Sequence, residues 1–150
     1  MSYKILSLDE LKRQRQCVTH PMREFENLKR TGRLNRYLVC PKGYIAQRPN
    51  RQPKLYRIEP AALSDAWRHV IAQQPRTTEI IVRKNGLHLH HTQKSKIFGF
   101  IDDIYTNVVA TEGGATLYIY SASRLGIFDF AVNKNRINDW CSALDLALQS

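Results

Sequence analysis

The sequence predicts an α+β fold in which an antiparallel sheet of about four to five strands is covered by two amphipathic helices. Three observations lead to this prediction: two glycine-containing hairpin turns, β-rich runs around those turns, and two stretches with apolar residues at helical spacing. The predicted order is β-α-β-β-β-β-α, and both helices need one face of the sheet to cover their apolar sides. By analogy alone, this order suits a reduced helix-grip arrangement, in which a curved sheet wraps a long C-terminal helix.

A short first strand is predicted at residues 54–58, and the first helix follows it directly. Pro60 marks the start of this helix because proline fits the first helical turn, and Pro75 marks its end. Its apolar residues recur at the spacing of one helix face: Leu63, Ala66, Trp67, Val70 and Ile71. We therefore expect this face to pack on the sheet.

Two hairpins supply the remaining strands. The strands are predicted at residues 77–84, 87–92, 97–110 and 116–123. Asn85-Gly86 joins the first pair, and Gly113-Gly114 joins the second pair; both are typical of tight turns between neighbouring strands. Because hairpins connect antiparallel neighbours, these four strands predict an antiparallel sheet.

The C-terminal segment predicts a second helix with one apolar face. Asn133 or Asn135 suits its N-cap, because a side-chain oxygen there accepts a hydrogen bond from a free backbone N–H. The apolar face comprises Ile137, Trp140, Cys141, Leu144 and Leu148. We expect Trp67 and Trp140 to be buried between the two helices and the sheet.

The positive charge of the chain is concentrated towards the N-terminus. Residues 1–57 contain 14 Lys and Arg against 4 acidic residues, which gives the whole net charge of +10, whereas residues 58–150 contain nine of each sign. The basic residues of this arm include Lys12, Arg13, Arg15, Lys29, Arg30, Arg33 and Arg36. Such segregation predicts that residues 1–57 contact an anionic macromolecule or surface, and a solvated, solubilising extension is the alternative.

A loop rich in Pro, Gly, Asn and Gln at residues 41–54 predicts a boundary between this arm and the folded domain. We expect residues 1–53 to form a basic arm with short helices and a linker, and residues 54–150 to form the α+β domain. One short helix is predicted to begin at Ser7, where Ser7-Leu8-Asp9-Glu10 has the form of a capping box. A helix of this length is too short to be stable on its own.

Composition argues against several classes of protein. No apolar run approaches the roughly 18 residues of a membrane span. A secretory signal is not expected either, because charged residues such as Asp9, Glu10 and Lys12 interrupt the apolar residues at the start. Cys17, Cys40 and Cys141 are odd in number and lack CxxC spacing, so neither a disulfide framework nor a zinc ribbon is predicted. A reducing cytoplasm is the expected location, and no cofactor is predicted.

Two polar motifs lie in the second half of the chain. The first is Phe100-Ile101-Asp102-Asp103, and the second begins with Ser121-Ala122-Ser123-Arg124 and continues through Gly126, Asp129 and Asn133 to Arg136. They resemble the Phe-Val-Asp-Asp and Ser-Ala-Ser-Arg-x-Gly-x-x-Asp-x-Gly-Val-Asn-x-x-Arg motifs of the domain of unknown function 1499 (DUF1499) family. The resemblance covers residues 56–146 and implies no settled activity.

The chain departs from this family pattern at three places. Ala131 stands where the family usually has Gly, and Tyr120 stands where it usually has Arg. The family's Pro-Asn-Cys segment is absent, because Pro49-Asn50 is followed here by Arg51.

Strand alternation gives these polar residues unusual surroundings. Asp102 and Asp103 point to opposite faces of a strand that is largely apolar on both faces, so at least one carboxylate needs a cation or several donors. Ser121 and Ser123 continue a row that otherwise faces the core. Arg136, at the start of the last helix, opposes the helix dipole, which predicts a carboxylate partner such as Asp129.

Two interpretations of this cluster stay open. The candidate residues are Asp102, Asp103, Ser121, Ser123, Arg124, Asp129, Asn133 and Arg136. They could form a polar pocket that binds an anion near the helix N-terminus or performs acid–base chemistry. Alternatively, they form a buried salt-bridge and capping network. We prefer the network, because structural ion-pair networks also gather residues of these types. Neither serine lies in a G-x-S-x-G motif, and we assign no catalytic residue.

Histidines supply a weak signal for a metal. His88 and His90 lie on one face of a predicted strand, and two imidazoles at this spacing can bind one metal ion. No H-x-E or HExxH context accompanies them, so we predict no metal site.

The leading hypothesis is a non-enzymatic binding or assembly protein. Its basic N-terminal arm contacts RNA, an acidic protein or anionic lipid. The alternative is an enzyme or a small-ligand binder that uses Asp102, Asp103, Ser121, Ser123 and Arg124.

Overall fold

The structure is a computed structural model that describes residues 36–45, 48–124 and 131–149. Its elements are β1 (Arg36–Val39), α1 (Pro60–Ala72), β2 (Thr77–Arg83), β3 (His88–Lys94), β4 (Ile101–Thr111), β5 (Gly114–Ser123) and α2 (Val132–Gln149). The predicted order and the α+β class are confirmed. The short helices predicted before residue 36 lie outside the described residues.

The five strands form one antiparallel sheet in the order β1-β5-β4-β3-β2. β1 pairs with β5, where Tyr37 lies opposite Ser121. The first strand is therefore at 36–39 and not at 54–58, where Tyr56 makes only an isolated bridge with Ala115. β1 lies inside the range that the sequence assigned to the arm, because its pairing partner is distant in sequence and the surrounding charge obscures its short apolar run.

The two predicted turns join the strands as expected, but β4 begins later than predicted. The structure places residues 95–100 in the turn between β3 and β4, so residues 97–100 are not part of a strand. The backbone N–H of Ser95 donates to the carbonyl of Phe100 at 2.8 Å, and the N–H of Phe100 donates to Ser95 Oγ at 2.9 Å. These two bonds close the turn before β4 starts.

The main core lies between the two helices and one face of the sheet. Trp67 is fully buried and Trp140 nearly so, which confirms the sequence prediction. Their rings contact edge to face with centroids 6.1 Å apart, and Trp67 Nε1 donates to Thr106 Oγ1 at 2.9 Å. The indole nitrogen therefore keeps a hydrogen bond although it is buried.

A smaller cluster covers part of the opposite face. Leu38 and Cys40 pack there with Tyr120 and Ala122. Tyr44 adds an edge-to-face contact with Tyr118, at 4.7 Å between ring centroids.

Within the described residues, no helix has both the length and the apolar character needed to cross a lipid bilayer.

Candidate functional site

The register of the sheet divides the predicted polar cluster between its two faces. Asp102 lies opposite Ser123, and Asp103 lies opposite Ala122. Neighbouring residues of a strand point to opposite faces. We call the group on the helix side the inner network: Gln93, Asp102, Ser121, Ser123, Asn133 and Arg136. The group on the other side is the outer network: His90, Asp103 and Arg124.

Arg136 of α2 is at the centre of the inner network. Its Nη2 donates to Asp102 Oδ2 in a buried ion pair. Its Nη1 donates to Ser121 Oγ at 3.0 Å and to Asn133 Oδ1 at 2.8 Å. Its Nε donates to Gln93 Oε1 at 2.6 Å. One guanidinium therefore connects the first turns of α2 to three strands of the sheet.

The two polar side chains beside Arg136 also bind each other. Ser121 Oγ donates to Asn133 Oδ1 at 2.7 Å, and Asn133 Nδ2 donates to Ser123 Oγ at 3.3 Å. Ser121 and Asn133 have no exposed surface. Since buried polar groups are costly unless they are hydrogen-bonded, these contacts allow a polar patch to exist within the core.

Asn133 does not have the position that the sequence suggested for it. α2 begins at Val132, and the N–H of Asn135 donates to the carbonyl of Ala131 at 2.9 Å. Asn133 therefore lies inside the first turn and turns its side chain towards β5, and Asn135 is also inside the helix. The N-cap prediction rests on the local preference of asparagine for that position. The structure instead pairs the Asn133 side chain with Ser121 and Ser123 of β5.

The outer network is built around the carboxylate of Asp103. Arg124 binds it through two nitrogens, with Nε to Oδ2 at 2.7 Å and Nη2 to Oδ1 at 2.9 Å. His90 Nε2 lies 2.8 Å from Oδ1, and the His90 ring stacks on Tyr105 at 4.2 Å. Asp103 is buried, whereas half of the Arg124 side chain is exposed.

The partners of Asp103 decide its ionisation. Burial acts to raise its pKa, but the hydrogen bonds from Arg124 and His90 outweigh burial and hold the pKa below the ordinary value. The carboxylate is therefore charged at neutral pH. It is held by a bidentate arginine, which is the strong form of this interaction.

Of the two histidines considered as metal ligands, His90 already contacts a protein carboxylate. His90 Nε2 contacts Asp103, and the pKa of His88 is lowered to about 4 because the ring is buried and because Lys84 and Arg83 are close. In the described part of the chain, no three His, Cys, Asp or Glu side chains are grouped so that they could hold a metal ion.

The thiols in the described ranges are poorly suited to nucleophilic chemistry. Cys40 and Cys141 are free and buried. Burial raises the pKa of each thiol to about 11, so the reactive thiolate is scarce at neutral pH.

The Ser121 hydroxyl is also poorly placed to act as a nucleophile, because it donates its proton to an amide oxygen rather than to a base.

Several predicted residues fall outside the described ranges. Asp129 is one of them, so the expected pair between Asp129 and Arg136 stays a prediction, and the carboxylate found beside Arg136 is Asp102. Of the basic arm, Lys12, Arg13, Arg15, Lys29, Arg30 and Arg33 also lie outside them. Arg36 is in β1, where it opposes the effect of burial on the pKa of Tyr120.

Sequence reasoning missed Gln93 as a member of the inner network. It lies on β3 directly opposite Asp102 and shares the helix-side face with it. The available signal was the two-residue period of the strand, which places Gln93 on the same face as His91 and the apolar Leu89, two and four residues before it.

These features define an α+β domain in which a buried Asp–Arg pair joins the last helix to an antiparallel sheet. The chain belongs to the family described as protein of unknown function (DUF1499), whose model matches residues 13–144. The resemblance seen in the two polar motifs is thereby confirmed. The match begins well before residue 54, so the family unit includes β1 and part of the basic segment. No curated protein matches the chain.

Proposed function

We propose that this protein is a non-enzymatic binding protein, in which the α+β domain presents a basic N-terminal segment to an anionic partner. The observation that carries the proposal is the charge asymmetry, since the net charge of +10 lies entirely within residues 1–57. A segment of this charge attracts polyanions at long range and raises the rate of encounter.

The part of this segment that the structure describes is attached to the domain. Residues 36–57 contain six basic residues and no acidic residue. Arg51 Nη1 donates to Asn138 Oδ1 at 2.9 Å, and Lys54 Nζ lies 3.0 Å from Asp145 Oδ1. Both partners are on α2. This attachment supports a role in which the basic segment starts from a fixed place on the domain.

The state of the polar cluster supports a binding role over an enzymatic one. Asp102 and Arg136 are both more than nine-tenths buried, and Asp102 Oδ2 and all three guanidinium nitrogens of Arg136 are used in internal hydrogen bonds. Catalytic groups need access to a substrate, whereas structural networks gather the same residue types without it.

Heparin chromatography of the full chain tests this proposal. We compare the triple variant Lys29→Gln, Arg30→Gln, Arg33→Gln with a matched control, Arg83→Gln, Lys84→Gln, Lys134→Gln, which removes the same charge from the domain. The arm variant should elute at clearly lower salt, because fewer counterions are released when it binds. The control should elute close to the parent. Equal elution of the two variants would contradict a binding role for the arm.

The outer network favours a second candidate, an enzyme or small-anion binder. Arg124 is half exposed beside a buried carboxylate, and His90 Nε2 lies 2.8 Å from Oδ1 of the same carboxylate. Thermal melts of Arg124→Ala, Asp102→Asn and Asp103→Asn separate the candidates. A structural network predicts a lower Tm for all three, whereas a ligand site often gains stability when its polar groups are removed.

A further inference from the structure

The turn between β3 and β4 exposes several large apolar side chains together. Ile97 is 82% exposed, Phe98 is 73% exposed and Phe100 is 44% exposed. Single exposed apolar residues are common on protein surfaces, but a contiguous group of this kind marks a contact site. We call residues 94–100 the apolar turn.

The apolar turn is held in a defined shape. The two hydrogen bonds between Ser95 and Phe100 close it, and Gly99 adopts a φ of +66°, which glycine tolerates without strain. The rings of Phe98 and Phe100 stack with centroids 5.3 Å apart. A surface that is already ordered loses little conformational entropy when it binds.

Exposed basic residues adjoin the apolar residues of the turn. Lys94 and Lys96 are exposed within the turn, and residues 94–101 contain no acidic residue. Arg76 is exposed beside them, because the N–H of Lys94 donates to the Arg76 carbonyl and Arg76 Nε donates to the Lys94 carbonyl, both at 3.0 Å. The turn therefore combines an apolar centre with a cationic rim.

We propose that the apolar turn inserts into the surface of an anionic lipid bilayer. Ile97 and Phe98 enter the boundary between headgroups and acyl chains, and Phe100 supports them from the side. Lys94 and Lys96 extend along this boundary with their aliphatic stems and place their ammonium groups on lipid phosphates. Aromatic rings and long basic side chains are well suited to this layer.

The shape of the turn favours a bilayer over a protein partner. A stable protein interface buries about 1,000 Å² or more with complementary packing, and a projecting tip of three apolar residues provides little of that area. A fluid lipid surface accepts a convex tip without a matching cavity. This inference rests on the proposed function and identifies its anionic partner as a membrane surface. Stable attachment takes two signals, and the basic arm supplies the second.

Vesicle co-sedimentation of the full chain tests the insertion. The vesicles contain three parts phosphatidylcholine and one part phosphatidylserine. Ile97→Ser with Phe98→Ser should lower the partition coefficient at least about tenfold, because two apolar side chains no longer leave water. Leu146→Ser is the matched control: Leu146 is 69% exposed near the C-terminal end of α2 and should not affect binding. Unchanged partition of the double variant overturns the proposal.

A direct readout comes from Phe98→Trp. Trp67 and Trp140 are buried and supply a constant background, so a blue shift on adding vesicles reports the new indole. The expected shift requires phosphatidylserine, since the lysines and the arm contact anionic headgroups. Absence of a shift with these vesicles rejects insertion of the turn.

Failure of this inference is distinguishable from failure of the proposed function. A chain that is retained on heparin but does not bind the vesicles rejects the lipid surface and keeps the anionic partner. A chain that binds neither rejects both. If sedimentation velocity instead shows a dimer that Ile97→Ser with Phe98→Ser dissociates, the turn binds a second copy of the chain and the lipid proposal is wrong.

Discussion

Ala131 occupies a backbone conformation that suits glycine better. Its φ is +59°, in the left-handed region, immediately before α2 begins. A side chain with a Cβ costs roughly 1–2 kcal/mol in this conformation. The motif that this segment resembles has Gly at the position, so the family pattern has a physical reason in the turn that precedes the last helix.

Ala131→Gly should therefore stabilise the protein. The strain that is removed exceeds the extra chain entropy of glycine, which leaves a gain of about 0.5–1 kcal/mol. Tm should rise by roughly 1–4 °C in a thermal melt followed by circular dichroism. The control is Ala62→Gly, an exposed residue inside α1, which should lower the free energy of unfolding by about 1 kcal/mol. A lower Tm for Ala131→Gly would show that the left-handed turn is not strained.

The sequence predicts which face of the strand Asp102 and Asp103 point to, but it does not predict the ion-pair partner of Arg136. The opposite orientation of Asp102 and Asp103 follows from the two-residue period of a strand, and the register confirms it. The partner of Arg136 could not be derived in the same way. A carboxylate close in sequence was the natural expectation, whereas Asp102 is 34 residues away and approaches only when β4 pairs with β5 and α2 docks.

Among the elements, α2 depends on the inner network as well as on its apolar face. Arg136 is buried and contacts β3, β4 and β5, whereas Lys134 on the same turn is exposed. Arg136 therefore holds α2 on the sheet, whereas Lys134 faces solvent. These two positions form a matched pair for substitution.

Arg136→Met should destabilise the protein by about 3–5 kcal/mol, because Asp102 is left buried without its cation. Lys134→Met should change stability by less than about 0.5 kcal/mol, since it removes a surface charge at a helical position. Urea denaturation followed by tryptophan fluorescence measures both. Adding Asp102→Asn to Arg136→Met should recover part of the loss, and strict additivity of the two substitutions would exclude a direct interaction.

The helices and hairpins, whose sequence signals lie within a few residues, were predicted well. The strand β1, whose pairing partner is distant in the sequence, was not. Pro60, the apolar spacing of the helices and the glycine turns are all read within a few residues. β1 is only four residues long and pairs with Ile119–Ala122 across most of the chain. Its assignment needs the partner strand, and local charge and turn residues pointed to an arm instead.

For the whole molecule, the free energy of unfolding should begin to fall at a pH well above the ordinary pKa of carboxyl groups. Burial lowers the pKa of His88 from 6.5 to about 4, with Lys84 and Arg83 adding to the effect. Burial also lowers the pKa of His91, which Glu79 opposes and Arg68 and His90 reinforce. Below pH 6.5 the unfolded chain binds protons that the folded chain does not, so stability falls as pH falls.

Thermal melts between about pH 7 and about pH 4.5 measure this effect, and Tm should decrease steadily across the range. Asp103 does not cause the decrease, because a carboxyl whose folded pKa is lowered loses its contribution only as the pH falls below its ordinary value of 3.8. His88→Gln should flatten the dependence, since glutamine binds no proton. An identical pH profile in that variant would assign the decrease to other groups.

The position of β1 has a consequence for synthesis of the chain. Val39 cannot pair until Ile119 has been made, eighty residues later. At about 5–20 residues per second, this interval is on the order of ten seconds. During that time β1 and the basic segment before it have been synthesised without the strand that pairs with β1. Nascent chains therefore pass through a stage in which β1 has been synthesised but β5, the strand that covers its edge, has not.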